Sequence, residues 1–131
     1  MLQARLLGKS IGRGLFKLAR SRLAGGFVRW SFAHASSLMP VHKLHETDLV
    51  VAFAHPKPAY PVHILIVPKR SIANLLMLDG ADYTVLCDVV LVAQHLVREL
   101  QLDKQGYRLV VNGGAYQDVQ QLHFHLTSGR P

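Results

Sequence analysis

The chain has 131 residues, of which 50% are hydrophobic, and a formal net charge of +7. This length suffices for one domain with a hydrophobic core. No apolar run approaches the ~18 residues of a membrane span, so we expect none. The single cysteine, Cys87, excludes an internal disulfide bond and a cysteine-rich zinc site.

The positive charge is concentrated at the N-terminus. Residues 1–45 contain eight Lys or Arg and no acidic residue, whereas residues 46–131 contain seven basic and eight acidic residues, a net charge of −1. A nucleic-acid-binding domain spreads its positive charge over the surface of the folded body, so we expect no specific nucleic-acid partner. We predict a basic extension over residues 1–25 and a folded domain over residues 26–131.

The extension has the pattern of an amphipathic helix over residues 2–23. One face is apolar and the other basic: Leu7, Ile11, Leu15 and Leu18 against Arg5, Lys9, Arg13, Lys17 and Arg20. Three interpretations stay open: a helix packed on the domain or a partner subunit, a peripheral helix on an anionic membrane, or a mitochondrial transit peptide. We accordingly expect a cytoplasmic protein. It would be membrane-associated if the extension is a peripheral membrane helix, and mitochondrial if the extension is a transit peptide in a eukaryotic source.

The first half of the folded domain predicts a short helix followed by three strands. Gly25-Gly26 precedes a helix from Phe27 to Ala35. Residues 42–45 and 49–53 flank a turn-prone segment and predict a hairpin. Prolines exclude regular structure between residues 55 and 61, and residues 62–67 form the strongest strand pattern in the chain.

The second half predicts one long helix between strands. Residues 81–102 contain neither Gly nor Pro, and a row of apolar side chains repeats there at helical spacing: Leu86, Val89, Val90, Ala93, Leu96, Val97 and Leu100. Residues 108–111 and 121–127 predict two further strands. Together these elements predict an α+β fold, in which one long core helix packs on an antiparallel sheet of about five strands.

The last predicted strand contains the candidate catalytic side chains. Side chains alternate between the two faces of a strand, so Gln121, His123 and His125 would share the face opposite to Leu122 and Phe124. Two adjacent imidazoles suit phosphoryl transfer. One can attack phosphorus as a neutral nucleophile, while the other holds the phosphate oxygens or donates a proton.

Two other interpretations of this strand stay open. It is either a solvent-facing strand with two histidines or a metal site, since His-x-His is also a metal-ligand spacing and His55 or Asp118 offers a third ligand. The surroundings favour phosphate, because the glycine-rich turn at residues 112–114 and the polar pair at residues 117–118 precede the strand. His63 is either a satisfied core histidine or a group that lies behind His123.

Four blocks of the chain, in order, resemble the histidine triad superfamily, and most closely its Hint branch. They are residues 46–53, 61–69, 110–114 and 121–129, within a resemblance that runs from about Trp30 to Arg130. The resemblance implies a homodimer of α+β subunits that cleaves nucleoside phosphoramidates or related nucleotide conjugates. It implies no cofactor and no metal.

The resemblance also implies a role for individual residues. His123 matches the nucleophile that takes up the nucleoside monophosphate, and His125 and Gln121 complete the catalytic set. The implied substrate-binding residues are His63 as the supporting histidine, Asn112, Gln117 and Asp118 at the phosphate, His55 at the ribose, and Phe53 with Trp30 and His34 around the base.

Several positions depart from the family pattern. Gln121 stands where the first histidine belongs and cannot carry a proton, and Asp118 replaces a serine or threonine with a carboxylate that repels phosphate. Tyr116 replaces a glycine in a loop two residues shorter, and His55 replaces an aspartate that holds the ribose hydroxyls. The sequence ends at Pro131, without the tail that completes the partner's site in the Hint branch.

These departures affect the predicted identity of the substrate, whereas His123 remains the predicted nucleophile. The main hypothesis is a nucleotide hydrolase or nucleotidyl transferase with a covalent nucleotidyl-histidine intermediate. The alternative is a non-catalytic or weakly catalytic nucleotide-binding module on the same fold.

Overall fold

The computed structural model describes residues 42–131. The amphipathic helix predicted at residues 2–23, the short helix at 27–35 and the domain boundary between residues 25 and 26 lie outside the described residues, as do Trp30 and His34.

Within residues 42–131, five strands form one antiparallel sheet. They are β1 (Lys43–Glu46), β2 (Val50–Ala54), β3 (Val62–Pro68), β4 (Arg108–Val111) and β5 (Phe124–Ser128), in the spatial order β1-β2-β3-β5-β4. β1 and β2 form the predicted hairpin, and every neighbouring pair is antiparallel. The sheet and the long helix described below confirm the predicted α+β architecture.

The long helix, α1 (Tyr83–Glu99), is shorter at both ends than predicted. Residues Gly80–Asp82 form a 3₁₀ turn before it, because the Asp79 side chain accepts from the Ala81 N–H and caps that turn. At the other end, Gln101 adopts a left-handed conformation with φ of 54°. This residue separates α1 from the short helix α2 (Leu102–Gln105). Two further 3₁₀ turns lie at Leu75–Met77 and Gly114–Tyr116.

The core lies between α1 and one face of the sheet. The buried residues of α1 are Val85, Val89, Val92, Ala93, Leu96 and Val97, and they face apolar side chains of β2, β3 and β5. The prediction that Val90 faces the core is wrong, since Val90 is 48% exposed. From Val85 the buried positions lie four and then three residues further on, at Val89 and Val92, so Val92 rather than Val90 faces the core. The segment Gly80–Glu99 is long and apolar enough to cross a membrane, but core helices meet the same criterion.

The last strand begins at Phe124 rather than at Gln121, which corrects the predicted range. Its first residue, Phe124, pairs with Ile66 of β3. Before that pair, the Leu122 N–H donates to the Ile72 carbonyl at 2.7 Å, so the backbone bonds to the loop that follows β3. Strand alternation therefore does not fix the direction of the Gln121 side chain.

Candidate active site

Four histidines lie side by side across three neighbouring segments of the sheet. His55 follows β2, His63 lies in β3, His123 immediately precedes β5, and His125 is the second residue of β5. Ring centroids are 4.2 Å apart for His55 and His63, 5.2 Å for His63 and His125, and 5.0 Å for His123 and His125. The structure thus brings His55 and His63 together with the predicted pair His123 and His125, from which they are far apart in the sequence.

The proline-rich segment between β2 and β3 orients two of these rings. Lys57 and Ala59 alternate with prolines, which have no N–H to donate. The Lys57 N–H donates to Nδ1 of His55 at 3.0 Å, and the Ala59 N–H donates to Nδ1 of His63 at 3.1 Å. Both rings therefore keep the lone pair on Nδ1 when they are neutral.

His63 and His125 share one hydrogen bond. Because Nδ1 of His63 accepts, the ring hydrogen is on Nε2, which lies 2.9 Å from Nδ1 of His125. His125 thus accepts at Nδ1 and carries its own hydrogen on Nε2. The Ala59 N–H and His63 in this way fix the tautomer of His125.

His123 has the opposite tautomer. Its Nδ1 lies 2.7 Å from the Gln121 carbonyl oxygen, which can only accept a hydrogen bond. The hydrogen is therefore on Nδ1, and Nε2 holds the lone pair. Two adjacent rings consequently offer a lone pair on His123 and an N–H on His125.

Burial keeps the rings of His63, His123 and His125 neutral near pH 7. Desolvation lowers the pKa of His63 to about 4. Burial, together with the neighbouring His123 and His63, lowers the pKa of His125 to about 4. Burial also lowers the pKa of His123, although the Gln121 carbonyl and the charge of Asp118 act in the opposite direction. A neutral imidazole is the form that can act as a nucleophile.

Two predicted residues lie at the border of the histidine group. The Asn112 amide nitrogen is placed 3.5 Å from Nε2 of His125. Because that Nε2 carries a hydrogen, the amide oxygen is the Asn112 atom that can accept from it. Asp118 is exposed and acts on His123 through its charge.

Gln121 and Gln117 direct their side chains away from the histidine group, whereas Phe53 of β2 lies opposite Leu65 and therefore shares a sheet face with His125. The Gln121 amide is fully buried and donates to the carbonyls of Pro68 and Arg70 at 3.3 and 3.1 Å. The Gln117 amide donates to the carbonyls of Ala73 and Val119 at 2.7 and 2.9 Å. Phe53 is fully buried in β2. Gln121 contacts His123 through its backbone carbonyl, a contact that no sequence pattern signals.

Comparison with known proteins assigns the chain to a family. Residues 37–131 match the model of the HIT domain. This protein belongs to the HIT family. An uncharacterised HIT-like protein of Synechocystis is 36% identical over 95 residues, which cover 71% of this chain and 82% of that protein.

Solved structures of the same family resemble this fold. A HIT family hydrolase from Legionella pneumophila has a TM-score of 0.70 and 31% identity, covering 76% of this chain and 91% of that one. A histidine triad nucleotide-binding protein from Candida albicans has a TM-score of 0.61 and 32% identity, covering 68% of this chain and 66% of that one. The histidine group described above lies within the matched residues.

Proposed function

We propose that this HIT protein hydrolyses or transfers a nucleotide through a covalent nucleotidyl-histidine intermediate on His123, as a member of the Hint-like branch. The observation that carries the proposal is the 2.7 Å contact from Nδ1 of His123 to the Gln121 carbonyl. This contact leaves the lone pair on Nε2 of a ring that burial holds neutral. The similar Legionella protein is a HIT family hydrolase, which supports a hydrolytic reaction, and the similar Candida protein is a nucleotide-binding protein, which supports a nucleotide as the ligand.

The proposed reaction has two displacements at phosphorus. The Nε2 lone pair of His123 forms an N–P bond to the nucleoside phosphoryl group, and the bond from phosphorus to the leaving amine or phosphate breaks. The leaving group takes up a proton from the solvent, and His123 keeps its hydrogen on Nδ1. Water then attacks phosphorus, the N–P bond breaks, and His123 is released as a neutral ring with a nucleoside monophosphate and a proton.

His125 supplies hydrogen bonding in this scheme. Its Nε2–H donates to a phosphate oxygen, and the chain from the Ala59 N–H through His63 keeps the hydrogen at that position. A preorganised donor of this kind stabilises the charge that develops on phosphoryl oxygens. Asn112 lies beside the same Nε2 and helps to orient the bound oxygen.

A non-catalytic nucleotide-binding module is the second candidate. Two features favour it: the side chain of Gln121 donates to backbone carbonyls rather than to the histidines, and the exposed carboxylate of Asp118 lies near His123. A carboxylate beside the nucleophile opposes the approach of an anionic substrate. We accordingly expect slow turnover of ordinary adenosine phosphoramidates, below ~1 per second.

A substrate screen separates the two candidates. Nucleoside phosphoramidates, adenylates and dinucleoside polyphosphates are incubated with the full chain, with His123→Ala as the blank and His95→Ala as the matched control on α1. Turnover above the His123→Ala rate, retained in His95→Ala, supports the enzyme. Calorimetric binding of a nucleoside monophosphate with no turnover of any substrate supports the binding module.

We also propose that the protein is a homodimer. Within the described sheet β4 is an edge strand, and its Leu109 and Val110 are each 39% exposed. Val90 and Leu91 on α1 are 48% and 59% exposed. A cavity of about 460 Å³ lies between α1 and β4 and is lined by Val90 and Leu109. An apolar edge strand beside an apolar helix face is a pairing surface for a second copy.

A further inference from the structure

A further cavity, of about 410 Å³, lies at the end of the sheet where β4 begins and β5 ends. Its described lining comes from the link between α2 and β4 and from the segment after β5: Gln105, Gly106, Tyr107, Arg108, Gly129 and Arg130. The four clustered histidines and Asn112 lie outside this lining. The cavity is therefore distinct from the site proposed for nucleotide chemistry.

Two contacts hold the side chain of Arg108 in this cavity. One Nη1–H donates to the Gly129 carbonyl at 3.2 Å. The guanidinium carbon lies 5.8 Å from the centre of the Tyr60 ring, a distance at which the face of the ring attracts a cation. A guanidinium has five N–H donors, and a single one of them is engaged in a hydrogen bond within residues 42–131. The other donors of Arg108 are available to a ligand.

A turn after β5 brings a second arginine to the same cavity. Gly129 has φ of +88° and ends the strand, and Arg130 follows it directly. Arg130 is exposed, and in the described part of the chain it has no hydrogen bond and no ion pair. All the donors of its guanidinium are therefore available as well.

No carboxylate balances the charge of these two arginines. Elsewhere an arginine is paired, since Arg70 contacts the buried Asp82. Neither Arg108 nor Arg130 forms an ion pair within residues 42–131, and no acidic residue is found in the described lining of the cavity. Like charges around one cavity repel each other, and a concave surface of one sign concentrates ions of the opposite sign. The cavity is therefore suited to an anion.

We propose that this cavity binds the phosphate group of a small phosphorylated molecule. Each guanidinium can donate two parallel hydrogen bonds to a pair of oxygens. A phosphate monoester has three terminal oxygens and a charge of about −1.5 to −2, so it matches two arginines better than a carboxylate does. Tyr107, which is 52% exposed, lines the same cavity and offers a ring to the organic part of the ligand. This site is additional to the nucleotide site at His123, and neither depends on the other.

Amide spectra of the nitrogen-15-labelled full chain, titrated with phenyl phosphate, test the site without any substitution. We expect saturable shifts of the signals of Gly106, Tyr107 and Gly129, with a Kd in the millimolar range or below. Benzoate, which replaces the phosphate by a carboxylate, should bind at least about tenfold more weakly. Equal affinity for benzoate overturns the inference. Shifts confined to His123 and its neighbours also overturn it, while they leave the proposed function standing.

Arg130 is the residue to replace, because Arg108 also contacts Tyr60 and Gly129. Arg130→Gln should weaken the binding of phenyl phosphate about tenfold, and Arg130→Lys, which keeps the charge but loses the planar fork, should recover part of that loss. Arg98→Gln is the matched control, since Arg98 is an exposed arginine that lines the cavity between α1 and β4. An unchanged affinity in Arg130→Gln, or an equal loss in Arg98→Gln, overturns the inference.

Discussion

At the scale of single residues, the site depends on the positions of ring hydrogens. His123 and His125 are two residues apart in the sequence and have opposite tautomers, because one ring donates to a carbonyl and the other accepts from an imidazole. Neither partner is a charged group. The resulting pair offers a nucleophilic lone pair next to a hydrogen-bond donor while both rings are neutral, which suits attack on an anionic phosphoryl group.

Gln121 stabilises the backbone that holds His123. Its buried amide donates to the carbonyls of Pro68 and Arg70, and its own carbonyl accepts from His123. We expect Gln121→Leu to lower the free energy of unfolding by about 1–3 kcal/mol, because buried carbonyls lose their donor. Urea unfolding measures this loss. The exposed neighbour Gln120 is the control, and equal stabilities of Gln121→Leu and Gln120→Leu would contradict this role.

Acid should destabilise the fold through His63 and His125. Their pKa values are lowered from 6.5 to about 4, so below pH 6.5 the unfolded chain binds more protons than the folded one. The free energy of unfolding should therefore fall as the pH drops from 6.5 to about 4, by on the order of 2 kcal/mol per histidine.

Urea unfolding at a series of pH values between 4 and 7 measures this dependence. The matched comparison is His125→Asn, which removes one of the three rings whose pKa is lowered. The slope over that range should be smaller in the variant. An identical slope in both proteins would show that these histidines do not cause the acid dependence.

At the scale of elements, the sequence predicts what depends on periodicity. The apolar run of β3, the hairpin before it and the helical row of α1 follow from side-chain spacing, and their existence and type are confirmed. The start of β5 does not follow, because it depends on a hydrogen bond from Leu122 to Ile72 in a distant loop. The direction of the Gln121 side chain depends on that same loop.

The sequence predicts which histidines form the site, but it does not predict the hydrogen bonds that set their tautomers. The spacing of His123 and His125 indicates a site, and His63 stands out in the sequence as a histidine within an apolar strand. The tautomers depend on backbone groups of Lys57, Ala59 and Gln121. Every non-proline residue has the same backbone N–H and carbonyl groups, so the sequence does not show which of them contact a histidine. Alternating prolines in residues 55–61 were the one available signal, because they leave isolated N–H groups between them.

The turn after β5 packs closely on the start of β3. Gly129 has φ of +88°, and a Cβ built there would lie 2.7 Å from Cγ of Pro61. Gly114 also has positive φ, +58°, but a Cβ there would meet no atom within 4 Å. We expect Gly129→Ala to cost about 2–3 kcal/mol and Gly114→Ala about 1 kcal/mol, by thermal or urea unfolding. Equal costs would show that Pro61 moves away without penalty.

At the scale of the whole molecule, two parts of the chain remain as candidates for binding partners. Residues 1–45 carry the entire excess of positive charge, and the interpretations of that extension stay open. The apolar surface formed by α1 and β4 is the proposed dimer interface. Its position beside β5 would connect the two sites of a dimer through adjacent strands of a continuous sheet.

Charge on β4 should separate the two copies. Leu109→Lys places an ammonium group on the apolar edge strand, so we expect a monomer by sedimentation velocity where the wild type is a dimer. Leu76→Lys is the control, since Leu76 is 90% exposed and lies in the 3₁₀ turn Leu75–Met77, away from β4. A wild-type monomer, or a dimer that persists in Leu109→Lys, would contradict the proposed interface.

The nucleophilic role of His123 is the central claim of this account. Intact-mass measurement after rapid quenching of the full chain with a nucleoside phosphoramidate tests it most directly. We expect an acid-labile mass increase of one nucleoside monophosphoryl group, present in the wild type and in His95→Ala and absent from His123→Ala. An adduct that persists in His123→Ala, or turnover by the wild type without any adduct under single-turnover conditions, would contradict it.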